Sequence, residues 1–165
     1  MRWFERAFPE GLPGWQLPLV LERLRGAPVR LEERVQGHGP PALIAKAGDR
    51  WSAQENVGHL LDLEPLWAGR VEDLRQGEDV LRPADLENRK TYEAGHHGAE
   101  IQELLARFRT AREALVAAVL ALGPEGAALT ALHPRLRQPM RLVDLMYFVA
   151  EHDDAHLMEI GRQLS

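Results

Sequence analysis

Trp51-Ser52-Ala53-Gln54-Glu55-Asn56-Val57-Gly58-His59-Leu60-Leu61-Asp62-Leu63-Glu64 is the stretch that decides the fold. Ser52 followed three residues later by Glu55 is a capping box, in which each side chain satisfies an orphan backbone N–H at the helix start. Val57, Leu60, Leu61, Trp67, Val71 and Leu74 then recur at helical spacing. The pattern predicts a helix over 52–75, bent near Leu61 by Pro65.

Three further helices flank it, separated by Gly/Pro-rich breaks. The first covers 15–36, with the stripe Leu17, Val20, Leu21, Leu24, Leu31 and Val35, and a kink or brief break at Pro28. The third covers 91–122 and is carried by Ile101, Leu104, Leu105, Phe108, Leu115, Val119 and Leu122 before Gly123-Pro124. The fourth covers 141–164, where Leu142, Leu145, Val149, His152, His156 and Ile160 share a face. Residues 76–90 and 127–139 read as loops, and no segment alternates with a period of two. The expectation is an all-α four-helix bundle forming a single domain over 1–165.

Composition supports helices and excludes several chemistries. The 165 residues include 26 Leu and 21 Ala, both strong helix formers. There is no Cys, so there is no disulfide, thiolate nucleophile, Cys zinc site or iron–sulfur cluster. The net charge of −5, with basic residues scattered, argues against nucleic-acid binding, which rests on Lys and Arg neutralising phosphates. No apolar run approaches the ~18 residues of a membrane span. The first 21 residues hold Arg2, Glu5, Arg6 and Glu10 and lack an apolar signal core. The expected localisation is cytoplasmic, with no membrane partner.

His152 and His156 lie one turn apart on the apolar face of the last helix. That spacing lets two imidazoles share one metal ion, and His59, at the edge of the second helix's stripe, is the candidate third ligand. Spacing alone leaves the alternative of core histidines satisfied by neighbouring polar groups. Asp153 stands where the metalloprotease pattern HisGluXXHis has Glu, so that pattern is absent. Asp62 and Glu55 are spaced to orient an imidazole, with a solvated carboxylate the commoner reading of each, and Asp153, turned about 100° from His152, reads as solvated. His96-His97 reads as loop or helix start, His38 as an exposed turn residue, and His133-Pro134 as a loop before the last helix.

The stretch quoted above, together with Glu151-His152-Asp153-Asp154-Ala155-His156-Leu157-Met158-Glu159-Ile160, resembles the two histidine motifs of the DinB/YfiT-like superfamily. Phe108-Arg109-Thr110-Ala111-Arg112 and His133-Pro134 fall at the expected places between them. The resemblance covers roughly Leu17 to Leu164. It implies an up-down-down-up bundle with a long crossover, and His59, His152 and His156 as ligands of a divalent metal, zinc or nickel. It also admits a homodimer. Relatives include metal-dependent transferases acting on bacillithiol or mycothiol, so the leading expectation is a thiol S-transferase with a small-molecule thiol and an electrophile as substrates. On that reading Arg109, Arg112 or His133 recognises carboxylates on the thiol. The alternatives are a hydrolase using metal-activated water, with Asp62, Asp153 and Glu55 as candidate catalytic carboxylates, and a non-catalytic metal-binding protein.

Overall fold

The computed structural model describes residues 3–165. Four long helices form the body: α1 (Leu17–Val35), α3 (Ala53–Gln76), α5 (Ile101–Ala121) and α7 (Leu142–Gln163). Short helices α2 (Pro40–Ile44), α4 (Arg89–Glu93) and α6 (Gly123–Gly126) lie in the connections. Strands β1 (Thr130–Leu132) and β2 (Pro139–Arg141) pair antiparallel just before α7.

The long helices pack as a ring, α1 against α7, α7 against α3, α3 against α5, and α5 against α1. Side-chain pairs give the directions. Arg23 and Arg30 of α1 meet Glu151 and Asp154 of α7, so these two run parallel. Asn56 and His59 of α3 meet His156 and His152 of α7, so α3 runs antiparallel to α7. Gln54 reaches Ala99, just before α5, and Glu64 reaches Arg112, so α3 and α5 are parallel. The bundle is therefore up-down-down-up. The parallel step from α3 to α5 requires a crossover, and residues 77–100 supply it.

The expected capping box at the start of α3 is present: the Glu55 N–H donates to Ser52 Oγ at 3.1 Å and the Ser52 N–H donates to Glu55 Oε2 at 2.8 Å. Pro28 and Pro65 lie inside α1 and α3, and each helix continues through its proline, so the brief break, one of the two outcomes expected at Pro28, does not occur. Pro28 is buried in the apolar stripe, and Pro65 is on the exposed face, where water can take up the carbonyl left without a donor. The third long helix starts at Ile101 and not near 91: Gly95 (φ 63°) takes left-handed backbone between α4 and a 3₁₀ turn at His96–Gly98, and extended backbone at Ala99 and Glu100 separates that turn from α5. Finally, residues 127–139 are not all loop. Strands of three residues are too short to display alternation in the sequence.

The core divides in two along the bundle. One apolar cluster gathers Leu17–Leu24 side chains of α1 with Trp67, Val71, Leu115, Val119, Leu145 and Val149. The other gathers Leu31, Val35, Val57, Leu60, Leu104, Phe108, Leu157 and Ile160. Between them in sequence lie Glu64 on α3, Arg112 on α5, and His152 and Asp153 on α7, and His59 of α3 meets His152; all five are buried. The bundle thus carries a polar layer at mid-height.

Candidate metal centre

Helix α3 delivers His59 to this layer, and α7 delivers His152 and His156. The Nε2 atom of His152 lies 3.4 Å from His59 Nε2 and 3.2 Å from His156 Nε2. The three ligand atoms all fall within 4.8 Å of one another.

The outer ring atoms show which nitrogens carry protons. Asn56 donates through Nδ2 to the carbonyls of Trp51 and Ser52, so its Oδ1 accepts from His156 Nδ1–H at 2.7 Å. Thr91 Oγ1 donates to Asp62 Oδ2 at 3.0 Å and therefore accepts from His59 Nδ1–H, also at 3.0 Å. Both rings then turn the lone pair of Nε2 inward. A neutral His152 has one N–H, so at most one of its two short N···N contacts can be a hydrogen bond. Its Nδ1 is buried without a hydrogen-bond partner.

Confronted lone pairs are unfavourable unless a cation lies between them. Tetrahedral coordination at the usual metal–imidazole distance separates ligand nitrogens by about 3.3 Å, close to the observed contacts. The donor set therefore fits a divalent cation with three imidazole ligands. Burial and mutual repulsion keep the rings neutral, as ligation requires. Burial, then His156 and His96, bring the His59 pKa down to about 2; burial brings His156 down to about 4; burial and both neighbours push His152 well below its ordinary value.

The crossover braces this centre. Asp62 accepts from Thr91 and from His96 Nε2 at 2.8 Å, which ties the His59 ring to the loop. His96 lies so close to α3 that a Cβ on Gly58 would sit 2.3 Å from its ring. His96 is thus buried structure supporting the site, not only a loop residue. His97 contacts Ser52 Oγ at 2.8 Å.

A cavity of about 430 Å³ opens on the trio. Its wall is mainly apolar and includes Trp3, Trp51, Leu63, Leu66, Trp67 and Phe148, and besides the trio its polar members are Arg70, Asp85, Asn88, His133 and Arg135. Trp51 lies 4.6 Å from the His59 ring, and Trp3 meets the His152 ring edge-on at 5.0 Å. Asp85 is the one carboxylate among the described lining residues. Its oxygens already accept from the backbone N–H groups of Glu87 and Arg89.

The remaining sequence candidates have other partners. Glu55 caps α3 and pairs with Lys46 at 2.9 Å; burial would raise its pKa, but Lys46 and the Ser52 amide outweigh burial and hold it low. Asp153 is buried, not solvated. Arg112 grips it and donates to Glu64 at 2.5 Å, joining α5 to α7 and α3. Burial opposes the Arg112 charge, yet the two carboxylates outweigh it and hold its pKa above the ordinary value. Neither Asp153 nor Arg112 lines the cavity. Arg109 is not brought to the site either; it pairs with Glu32 on α1 at 2.7 Å. His133 does line the cavity, with Arg70 Nη1 donating to its Nε2 at 3.1 Å. Sequence reasoning assigned no role to Asn56, Thr91 or Arg70.

Residues 23–160 match the DinB superfamily. Among solved structures, YfiT from Bacillus subtilis, described as a probable metal-dependent hydrolase with an unusual four-helix bundle topology, superposes with a TM-score of 0.80. The match spans 97% of this chain and 94% of that one at 21% identity. No curated protein matches the chain. Among the described residues, no helix is long and apolar enough to cross a membrane.

Proposed function

The chain belongs to the DinB superfamily, and we propose on that premise that it is a metal-dependent enzyme of the thiol S-transferase kind. His59, His152 and His156 hold a divalent cation, with zinc and nickel the metals of first choice. When bound, the cation acidifies a coordinated thiol and holds it for attack on an electrophile.

The observation that carries this reading is the combination of three converging imidazole nitrogens, two of them turning lone pairs inward, with an apolar cavity whose one lining carboxylate is already engaged. Attack by a thiolate needs no general base at the open face. Water attack on an ester or amide profits from one, and Asp62, Asp153 and Glu55 are each committed elsewhere. The chain's own residues have three tasks. Asn56 and Thr91 fix two of the imidazole tautomers. Trp3, Trp51 and Trp67 limit water around the reacting group. Because the chain has no Cys, the thiol must arrive as a substrate. A second reading, hydrolysis, is favoured by the likeness to YfiT and the description it bears.

The deciding assay pairs a thiol panel including bacillithiol and mycothiol with monochlorobimane, and runs p-nitrophenyl esters in parallel. Thiol adducts should form with metal-loaded protein and disappear with EDTA or in His156→Ala. Ester cleavage with no turnover of any thiol would replace the transferase reading by the hydrolase one.

A further inference from the structure

Arg70 sits at the cavity with its side chain only 1% exposed. Its Nε donates to the carbonyl of Arg82 and its Nη1 to His133 Nε2, both at 3.1 Å. Both acceptors are neutral. Among the described residues no carboxylate lies within ion-pair distance of Arg70. Asp73, whose field reaches it, gives its oxygens to the Arg82 guanidinium at 2.6–3.1 Å and to the Arg82 amide at 2.8 Å. A buried cation is ordinarily paired, because desolvation of an unpaired charge is costly. The two bonds use two of the five guanidinium N–H donors. The Trp67 ring lies 5.5 Å from the guanidinium carbon, and Arg135 adds positive potential nearby.

We propose that Arg70 anchors a carboxylate of the substrate, so that the cavity accepts an amphipathic organic carboxylate. Its apolar body lies along Leu63, Leu66, Trp67 and Phe148, and its other end faces the imidazole trio. The proposal rests on this cavity being the substrate pocket of the metal-dependent reading. Burial draws the Arg70 pKa down to about 10, so the group still carries its charge at neutral pH.

The test uses EDTA-treated full-length protein, so that metal cannot bind the carboxylate and the outcome is independent of turnover. A series of ω-phenylalkanoates and their neutral amides is titrated by calorimetry. Wild type should prefer a carboxylate over its amide by about tenfold or more, the worth of a charge-assisted hydrogen-bond pair. Arg70→Met should abolish the preference and Arg70→Lys should keep part of it. Since a buried substitution can impair folding, the wild-type Arg70 Nε resonance is followed as well, and it should shift on carboxylate addition and not with the amide. Equal affinity for acid and amide, a preference retained in folded Arg70→Met, or an unmoved Nε resonance would each overturn the proposal. Carboxylate selectivity without any metal-dependent turnover would instead spare the anchor and count against the enzyme reading.

Discussion

The polar layer at the middle of the bundle has two halves, and they obey opposite rules. On the α5 side, Arg112 lies between Glu64 and Asp153, and opposite charges and donors match. On the crossover side, three neutral imidazoles converge, His59 and His156 turn acceptors toward His152, and His152 has at most one N–H to offer the two of them. Both clusters are buried and both join α3 to α7. A matched cluster locks helices together, whereas a cluster of like acceptors is unfinished without a cation. The distinction between a structural and a chemical role thus comes from hydrogen-bond accounting and not from burial.

The largest effect should fall on the matched half. Arg112→Met strands two buried carboxylates and should cost about 3–5 kcal/mol in urea unfolding of the metal-free protein. A loss under 1 kcal/mol would mean that the cluster is not what fastens α5 to its neighbours.

The unfinished half should respond in metal affinity instead. Asn56→Ala frees the His156 ring to rotate and should weaken zinc binding about 10–100-fold, with Thr91→Val toward the lower end of that range. Competition against a chromogenic chelator measures both. Unchanged affinity in both variants would show that the tautomers are set by something other than Asn56 and Thr91.

A smaller effect separates burial from ligation as the cause of neutrality. His133 belongs to neither half, yet burial, then Arg70 and Arg135, lower its pKa to about 4. The unfolded chain therefore takes up this proton first, near its ordinary value of about 6.5, so His133 weakens the fold as pH falls from there toward 4. The contribution is at most about 2–3 kcal/mol. In metal-free protein, His133→Gln should reduce the slope of stability against pH in that window; an unchanged slope would contradict the assignment.

Much of the fold could be read from local signals. The capping box and apolar stripe starting at Ser52 placed α3 within a residue, and the stripe of α7 carried both of its histidines inward. The partners that finish the site were less visible. Thr91 is 32 residues from His59 and meets it only because the crossover folds back. Arg112 stood among apolar residues of α5 with no local partner, since Glu64 and Asp153 come from two other helices. Arg70 left a usable trace, a charge set in the apolar stripe between Trp67 and Val71. Asn56 left one too, three residues before His59 on α3. Such misfit polar residues become informative only when the helices across from them are known.

If His59, His152 and His156 together hold one divalent cation, zinc titration calorimetry and elemental analysis of tag-free protein, beside His59→Ala, His152→Ala and His156→Ala, will show it. Wild type should carry one ion per chain, and each variant should lose it while circular dichroism shows the helical fold retained. Stoichiometric metal that survives all three substitutions, or wild-type protein that takes up none, would contradict the three-histidine site.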